Sequence, residues 1–176
     1  MSEWSDKDLV ALARKDPNAF EDLMRRHGPR VAALARSLVG ESHVDDVVQE
    51  VFISVYKGLK HFRGDAEFST WIHRIALNAC YAKLKRPTAE ALEHDVVSAI
   101  SVQKNAEQQQ LRELIELGMQ KLPLEQREAF ALREFSGLDY DAIAQILECQ
   151  LGTVKSRIAR AKTSLKAFLM AKGVCP

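Results

Sequence analysis

The chain has little of what marks several common protein classes. Only three of its 176 residues are cysteine, Cys80, Cys149 and Cys175, and no two form a CxxC pair. A disulfide framework needs more and closer thiols, so a reducing cytoplasm fits the chain. No run of about 18 apolar residues is present that could span a bilayer. The opening Met1-Ser2-Glu3-Trp4-Ser5-Asp6 is polar and acidic, unlike a secretory leader. Eight glycines, five prolines and 7% aromatics are few for a turn-rich β fold and favour helices. His27, His43, His61, His73 and His94 show no HExxH or other ligand spacing, and no P-loop is found. A nuclease or metal enzyme is therefore disfavoured, and no cofactor is implied.

Net charge is also nearly absent, at +1, but it is unevenly spread. Residues 148–176 carry six lysines and arginines against one acid, whereas residues 111–147 carry four against seven. A basic C-terminal end on a near-neutral chain points to a local polyanion site.

Hydrophobic spacing is helical throughout. Asp16-Pro17 reads as a helix start, followed by Phe20, Leu23, Met24, Val31, Leu34, Ala35 and Leu38, with a bend expected at Gly28-Pro29 and an end at Gly40. Ser42 is the expected cap of the next helix, whose apolar stripe is Val44, Val48, Val51, Phe52, Val55 and Leu59. Asp45, Asp46, Gln49 and Glu50 lie off that stripe; by themselves they read as a solvated face with acids near a helix N-terminus. After a polar loop, His61 to Glu67, Ser69 is expected to cap a helix reaching about Arg86. Residues 87–110 are acidic with weak periodicity and read as a linker. Leu111, Leu114, Ile115 and Leu122 restart the helical pattern, Pro123 resets it, and a further helix is expected to reach Gly137. The expected fold is all-α: two small helical domains, 1–86 and 111–176, joined by 87–110.

The C-terminal segment has the pattern of a helix-turn-helix. Residues 141–147 form a short helix, Glu148-Cys149-Gln150 a tight turn, and 151–171 a second helix. Ala144 is small enough for close crossing. Leu151, Val154, Ile158, Ala161 and Leu165 fall on one side. Thr153, Ser156, Arg157, Arg160 and Thr163 fall on the other, flanked by Lys155 and Lys162. Such a helix enters the major groove, where arginine can bond both acceptors of a guanine edge and lysine can neutralise phosphate.

Several stretches, in this order, carry a family resemblance: Asp46-Val47-Val48-Gln49-Glu50-Val51-Phe52, Phe62-Arg63-Gly64-Asp65, Phe68-Ser69-Thr70-Trp71-Ile72-His73-Arg74-Ile75-Ala76-Leu77-Asn78, Leu122-Pro123, Leu132-Arg133-Glu134-Phe135-Ser136-Gly137-Leu138-Asp139-Tyr140 and Gly152-Thr153-Val154-Lys155-Ser156-Arg157. Together they cover about 10–86 and 111–171. The chain thereby resembles the extracytoplasmic-function sigma factors, close to the sigma-E-like members. The resemblance implies a sigma region 2 bundle and a sigma region 4 helix-turn-helix, promoter-specific transcription initiation with RNA polymerase core, and no catalysis. It implies that Asp45, Asp46, Gln49 and Glu50 dock the clamp helices of the polymerase β′ subunit. It assigns the −10 element to the segment from Phe62 to Arg86, with Arg63, Trp71, Arg74, Asn78, Tyr81 and Lys83 as candidates, and the −35 element to Thr153, Lys155, Ser156, Arg157 and Arg160. It further implies contact with the β flap and restraint by an anti-sigma factor packing between the domains.

The −10 segment has a physical logic of its own, because unpaired bases stack on rings at about 1–3 kcal/mol each while cations hold the backbone. Trp71, beside Ile72 and Ile75, reads as a core or half-buried ring; Arg74, Asn78 and Lys83 are better placed for direct contact. Three departures stand out. Glu148 occupies a turn where many such motifs have glycine, Gln150 stands where many relatives have proline, and Ala159 where some have an aromatic. The alternatives are a stand-alone helix-turn-helix regulator, which would bind duplex DNA without polymerase, and a cysteine-based sensor, which three scattered thiols support poorly.

Overall fold

The computed structural model describes residues 4–86 and 106–174, so most of the expected linker, 87–105, and Cys175 lie outside the described residues. The described residues form eight α-helices and no strand.

Helix α1 (Asp6–Ala13) begins with a reciprocal cap: the Ser5 side chain accepts from the Asp8 amide while the Asp8 carboxylate reaches back to the Ser5 backbone. It buries Leu9, Val10 and Ala13 against α2 (Pro17–Val39). The α2 start matches expectation, with Asp16 accepting from the Asn18 amide at 2.9 Å and Pro17 in the first turn. The bend expected at Gly28-Pro29 does not end the helix, which continues through Pro29 to Val39. An interior proline costs about 3 kcal/mol. Val31, Leu34, Ala35 and Leu38 are all fully buried beyond it, and each large aliphatic contributes about 1.5–3 kcal/mol on burial.

Ser42 is not the cap expected of it. Glu41–His43 form a 3₁₀ turn, and α3 (Val44–Gly58) starts without a side-chain cap. Asp45 and Asp46 in its first turn supply the favourable charge there instead. The buried stripe is Val44, Val47, Val51, Val55 and Leu59, so Val47 joins it while Val48 and Phe52 sit half-buried at its edge. Ser69 likewise lies inside α4 (Phe68–Lys85), which starts at Phe68 without a side-chain cap. Burial of Phe68 against the bundle draws the helix start back, and the Ser69 carbonyl accepts from His73 Nδ1 at 2.6 Å. The four helices close on Leu9, Leu23, Leu34, Val51 and Ile72, all completely buried.

The second unit starts inside the expected linker, because α5 spans Ala106–Lys121. Near its end, Gly118 lets α5 press on α8 (Leu151–Ala171): a Cβ there would stand 2.5 Å from Leu165 Cδ1 and 2.8 Å from Phe168 Cδ1. Helix α6 (Leu124–Glu134) ends before the expected Gly137, where the chain turns with φ +69°. The amides of Ser136 and Leu138 fold back on the carbonyls of Ala131 and Leu132, each at 3.1 Å. Helix α7 (Tyr140–Leu147) is capped by Asp139, whose Oδ1 accepts from the Ala142 amide at 2.7 Å. Leu151, expected inside, is 38% exposed at the first turn of α8; Val154, Ile158, Ala161 and Leu165 form the buried side.

The two units touch. α2 lies against α5 and α6, and α4 against α7. No helix among the described residues is long and apolar enough to cross a membrane.

Candidate nucleic-acid and polymerase interface

Burial of Val47, Val51 and Val55 turns the opposite side of α3 outward, and with it Asp45, Asp46, Gln49 and Glu50, all exposed. The same helix leaves Ile53 and Tyr56 exposed at 48% and 64%, so the acidic face continues into an apolar one. Asp46 Oδ2 lies 3.3 Å from Lys83 Nζ on α4. A pair this open to water contributes at most about 1 kcal/mol.

Around the loop before α4, aromatic rings make a connected cluster. The Phe62 and Trp71 centroids are 4.8 Å apart, Phe68 and Trp71 5.7 Å, Phe62 and Phe68 5.8 Å. Trp71 is half-buried, packed so closely on Gly58 that a Cβ there would meet the indole at 3.0 Å. It therefore supports the loop from beneath. Arg14 Nη2 donates to the Phe62 carbonyl at 2.6 Å and fixes the other side. Arg63 is exposed and lines an open recess with Arg14, Lys60 and His61.

Along α4, Asn78 faces solvent. Its neighbours on that side are engaged. Arg74 Nη2 donates to the Gln145 carbonyl on α7 at 2.7 Å, the Tyr81 hydroxyl donates to the Glu128 carboxylate on α6, and Lys83 pairs with Asp46. On the inner side of α4, His73 is fully buried and its pKa is pushed down to about 4, chiefly by burial. His27 shifts the same way, although the Asp6 carboxylate at 2.8 Å opposes the shift. Burial pushes the Cys80 thiol up to about 12, which leaves it an inert core group. Among the described residues no three potential ligands gather to hold a metal ion.

The helix-turn-helix is α7, the turn and α8. Glu148 takes the left-handed conformation with φ +50°, the role glycine fills more easily, and the Cys149 amide closes the turn on the Ala144 carbonyl at 3.1 Å. The motif thus forms without the usual glycine. On α8, Lys155, Ser156 and Arg160 are exposed and Thr153 is half-buried. Lys155 and Arg160 have no carboxylate at ion-pair distance among the described residues, while Lys162 pairs with Glu134 at 2.8 Å.

Arg157 differs from its neighbours. Its side chain is only 19% exposed, with Nη2 2.9 Å from Glu125 and Nη1 3.9 Å from Glu128. It does not project toward solvent as the helix pattern suggests. Glu128 is the residue that sequence reasoning passed over. It is 5% exposed, and burial raises its pKa against the opposing effects of the Tyr81 hydroxyl and the Arg157 guanidinium. The signal was present in the spacing: Glu128 stands four residues before Leu132, on the inward stripe of α6 with Ala131. Arg127 was also missed. Its guanidinium bonds the Gln120 and Leu122 carbonyls at 2.8 and 2.9 Å and reaches the Leu38 carbonyl, in the last turn of α2, at 3.4 Å.

Comparison with known proteins agrees with this geometry. The Sigma-70 region 2 family model matches residues 23–89 and the Sigma-70, region 4 model matches 112–165. The chain is 38% identical to the ECF RNA polymerase sigma-E factor of Escherichia coli (strain K12), covering 94% of this chain and 95% of that protein. It is 36% identical to the RNA polymerase sigma-H factor of Pseudomonas aeruginosa, covering 96% of each. Among solved structures, CnrH in complex with the cytosolic domain of CnrY superposes with a TM-score of 0.74 at 30% identity, over 94% of this chain and 97% of that one. The sigma factor RpoE, in complex with the anti-sigma factor NepR from Bartonella quintana, shares the fold with a TM-score of 0.71 at 24% identity, over 86% of this chain and 96% of that one. With an N-terminal bundle, a C-terminal helix-turn-helix and this identity over nearly the whole chain, the protein belongs to the extracytoplasmic-function family of RNA polymerase sigma factors.

Proposed function

We propose that the protein works by dividing promoter recognition between its two helical units, with the following residues in each role. As a sigma factor it directs RNA polymerase core to promoters and is not an enzyme. The N-terminal unit, 1–86, docks polymerase through Asp45, Asp46, Gln49 and Glu50 against the β′ clamp helices. It captures melted −10 bases at Arg63, Arg74, Asn78, Tyr81 and Lys83, over a loop braced by Trp71. The C-terminal unit, 111–176, reads the −35 duplex with Thr153, Lys155, Ser156, Arg157 and Arg160 and meets the β flap. Residues 87–110 connect them. The protein acts in the cytoplasm and is held in check by an anti-sigma factor, in line with the partner-bound states of CnrH and RpoE.

The observation that carries this reading is α8. Its aliphatic side is buried in the unit, while Lys155, Ser156 and Arg160 stand unpaired or exposed on the other side, at the N-terminal half where a recognition helix meets base edges. The stand-alone regulator is tested at the same time. A promoter library transcribed with core polymerase should yield run-off products only when the chain is added, and a band shift on the selected promoter should require core. Tight binding to a duplex without core, and no transcript, would leave the stand-alone regulator as the better reading.

A further inference from the structure

A basic recess adjoins the loop before α4, and most of it lies outside the segment assigned above to the −10 element. The 3₁₀ turn Leu59–His61 is rooted by the buried Leu59 and closed by the Phe62 amide, which donates to the Leu59 carbonyl at 3.3 Å. Lys60 and His61 are left exposed on the turn. Arg14, exposed just past the end of α1, reaches the same place from 48 residues away and donates to the Phe62 carbonyl at 2.6 Å. Its remaining N–H groups make no further side-chain hydrogen bond among the described residues, and the guanidinium lines the recess with Lys60, His61 and Arg63. Among the described residues no carboxylate stands at ion-pair distance from Arg14, Lys60 or Arg63, whereas Arg25, Arg26, Arg36 and Lys83 in the same unit each have one. Cations gathered without an acid repel one another, by about 1 kcal/mol for a pair in contact in water. An anion seated among them turns that repulsion into attraction.

We propose that Arg14, Lys60 and Arg63 form a phosphate clamp, which seats adjacent backbone phosphates of the melted −10 strand beside the loop that receives its bases. The proposal rests on the −10 role given above to the segment from Phe62 to Arg86, and it extends that site to α1 and to the turn before the loop. Phe62 joins the two parts: its carbonyl is held by Arg14, and its ring packs with Trp71 and Phe68. The recess is open and polar, and its one benzene ring is already packed, so nothing there covers the base of a free nucleotide. An exposed cation site of this kind is weak alone and gains from tethering. A strand whose bases are held at Asn78 presents its phosphates to the recess at high effective concentration. The clamp carries no sequence information, because phosphate contacts position a strand and base contacts select it.

The test uses the full chain assembled with core polymerase and a fluorescein-labelled single strand of the selected −10 sequence, with binding read by anisotropy over a range of salt. Lys60→Gln and Arg63→Gln alter exposed side chains outside the core, so the fold is kept. Together they should weaken strand binding about tenfold and flatten the plot of log affinity against log salt by about 1.4, at about 0.7 per lost phosphate contact. Preference for the selected strand over a scrambled one should stay within about twofold of the parent. Lys60→Arg keeps the charge and should keep the parental slope. Unchanged affinity and slope in the double variant would overturn the clamp, as would a slope lost equally in Lys60→Arg. A changed sequence preference at unchanged slope would make these side chains base readers and overturn it too. Tight binding of inorganic phosphate to the chain alone, seen by calorimetry and lost in the double variant, would mark a free-anion site and overturn the strand assignment. A parent holoenzyme with no preference for the selected strand would overturn the −10 role itself, and the clamp with it.

Discussion

Two helices carry the candidate DNA-reading side chains, and they are built differently. α4 is embedded on one side in the N-terminal bundle through Ile72, His73, Ala76 and Cys80, and on the other gives Arg74, Tyr81 and Lys83 to protein partners. α8 is rooted by the buried side chains of Val154, Ile158, Ala161 and Leu165 and leaves Lys155, Ser156 and Arg160 to solvent. The difference suits the tasks proposed for the two helices: capture of melted bases asks for a fixed pocket, which the Phe62–Phe68–Trp71 cluster would brace, whereas a duplex groove asks for a projecting rod. Arg157 is the exception on α8, since its side chain turns onto Glu125 and Glu128 of α6 in the same unit.

The largest way to break the comparison is to remove the footing of α4. Ile72→Ala, at a fully buried position, should cost about 2–5 kcal/mol in thermal or urea unfolding. The loss should appear first in the tryptophan signal, because Trp4 and Trp71 both lie in the N-terminal unit. Equal loss of the α8 structure at the same midpoint would show that the units unfold as one.

Acid should separate the regions without mutation. All five histidines precede residue 106, and His73 and His27 are buried with lowered pKa values. A depressed histidine binds fewer protons folded than unfolded, so stability present above about pH 6.5 is lost as pH falls toward about 4. For His73 alone the loss reaches roughly 3 kcal/mol. A pH titration of unfolding free energy should therefore fall over that window and recover in a His73→Phe variant that folds; a flat profile would mean the ring is not held neutral.

The third contrast concerns roles. Arg160→Ala should weaken promoter-specific transcription by about 1–3 kcal/mol of DNA discrimination and leave core affinity unchanged. Asp46→Ala with Glu50→Ala should weaken core binding and leave the −35 contribution intact. Intact core affinity in that double variant would remove the docking role.

The smallest effect concerns caps. α7 has a side-chain cap at Asp139 while α4 has none at Glu67. Asp139→Ala should cost about 0.5–2 kcal/mol, and Glu67→Ala almost nothing, by differential scanning calorimetry.

The same contrast explains what could be read from the amino acids. Local chemistry was legible: Asp16-Pro17 starts α2, the spacing of Val154, Ile158, Ala161 and Leu165 defines the buried side of α8, and the ordered motifs indicate the family. Caps were harder. Ser42 and Ser69 have the right type of side chain, but a 3₁₀ turn before α3 and burial of Phe68 shift the helix starts away from them. The proline at 29 has the signal of a bend, and α2 runs through it unbroken to Val39, with buried aliphatics on both sides. Least legible were contacts between the units. Tyr81 and Glu128 are 47 residues apart and Arg74 and Gln145 are 71 apart, and no local pattern pairs them. Arg157 followed its helix pattern in position and departed from it only because Glu125 and Glu128 draw its side chain sideways.

The most direct measurement is run-off transcription from a selected promoter, with core polymerase and the chain added separately and together. A transcript that needs both components, and that Arg160→Ala reduces without loss of core binding, is the predicted result. A transcript independent of the chain, or an Arg160→Ala protein that no longer binds core, would contradict the account.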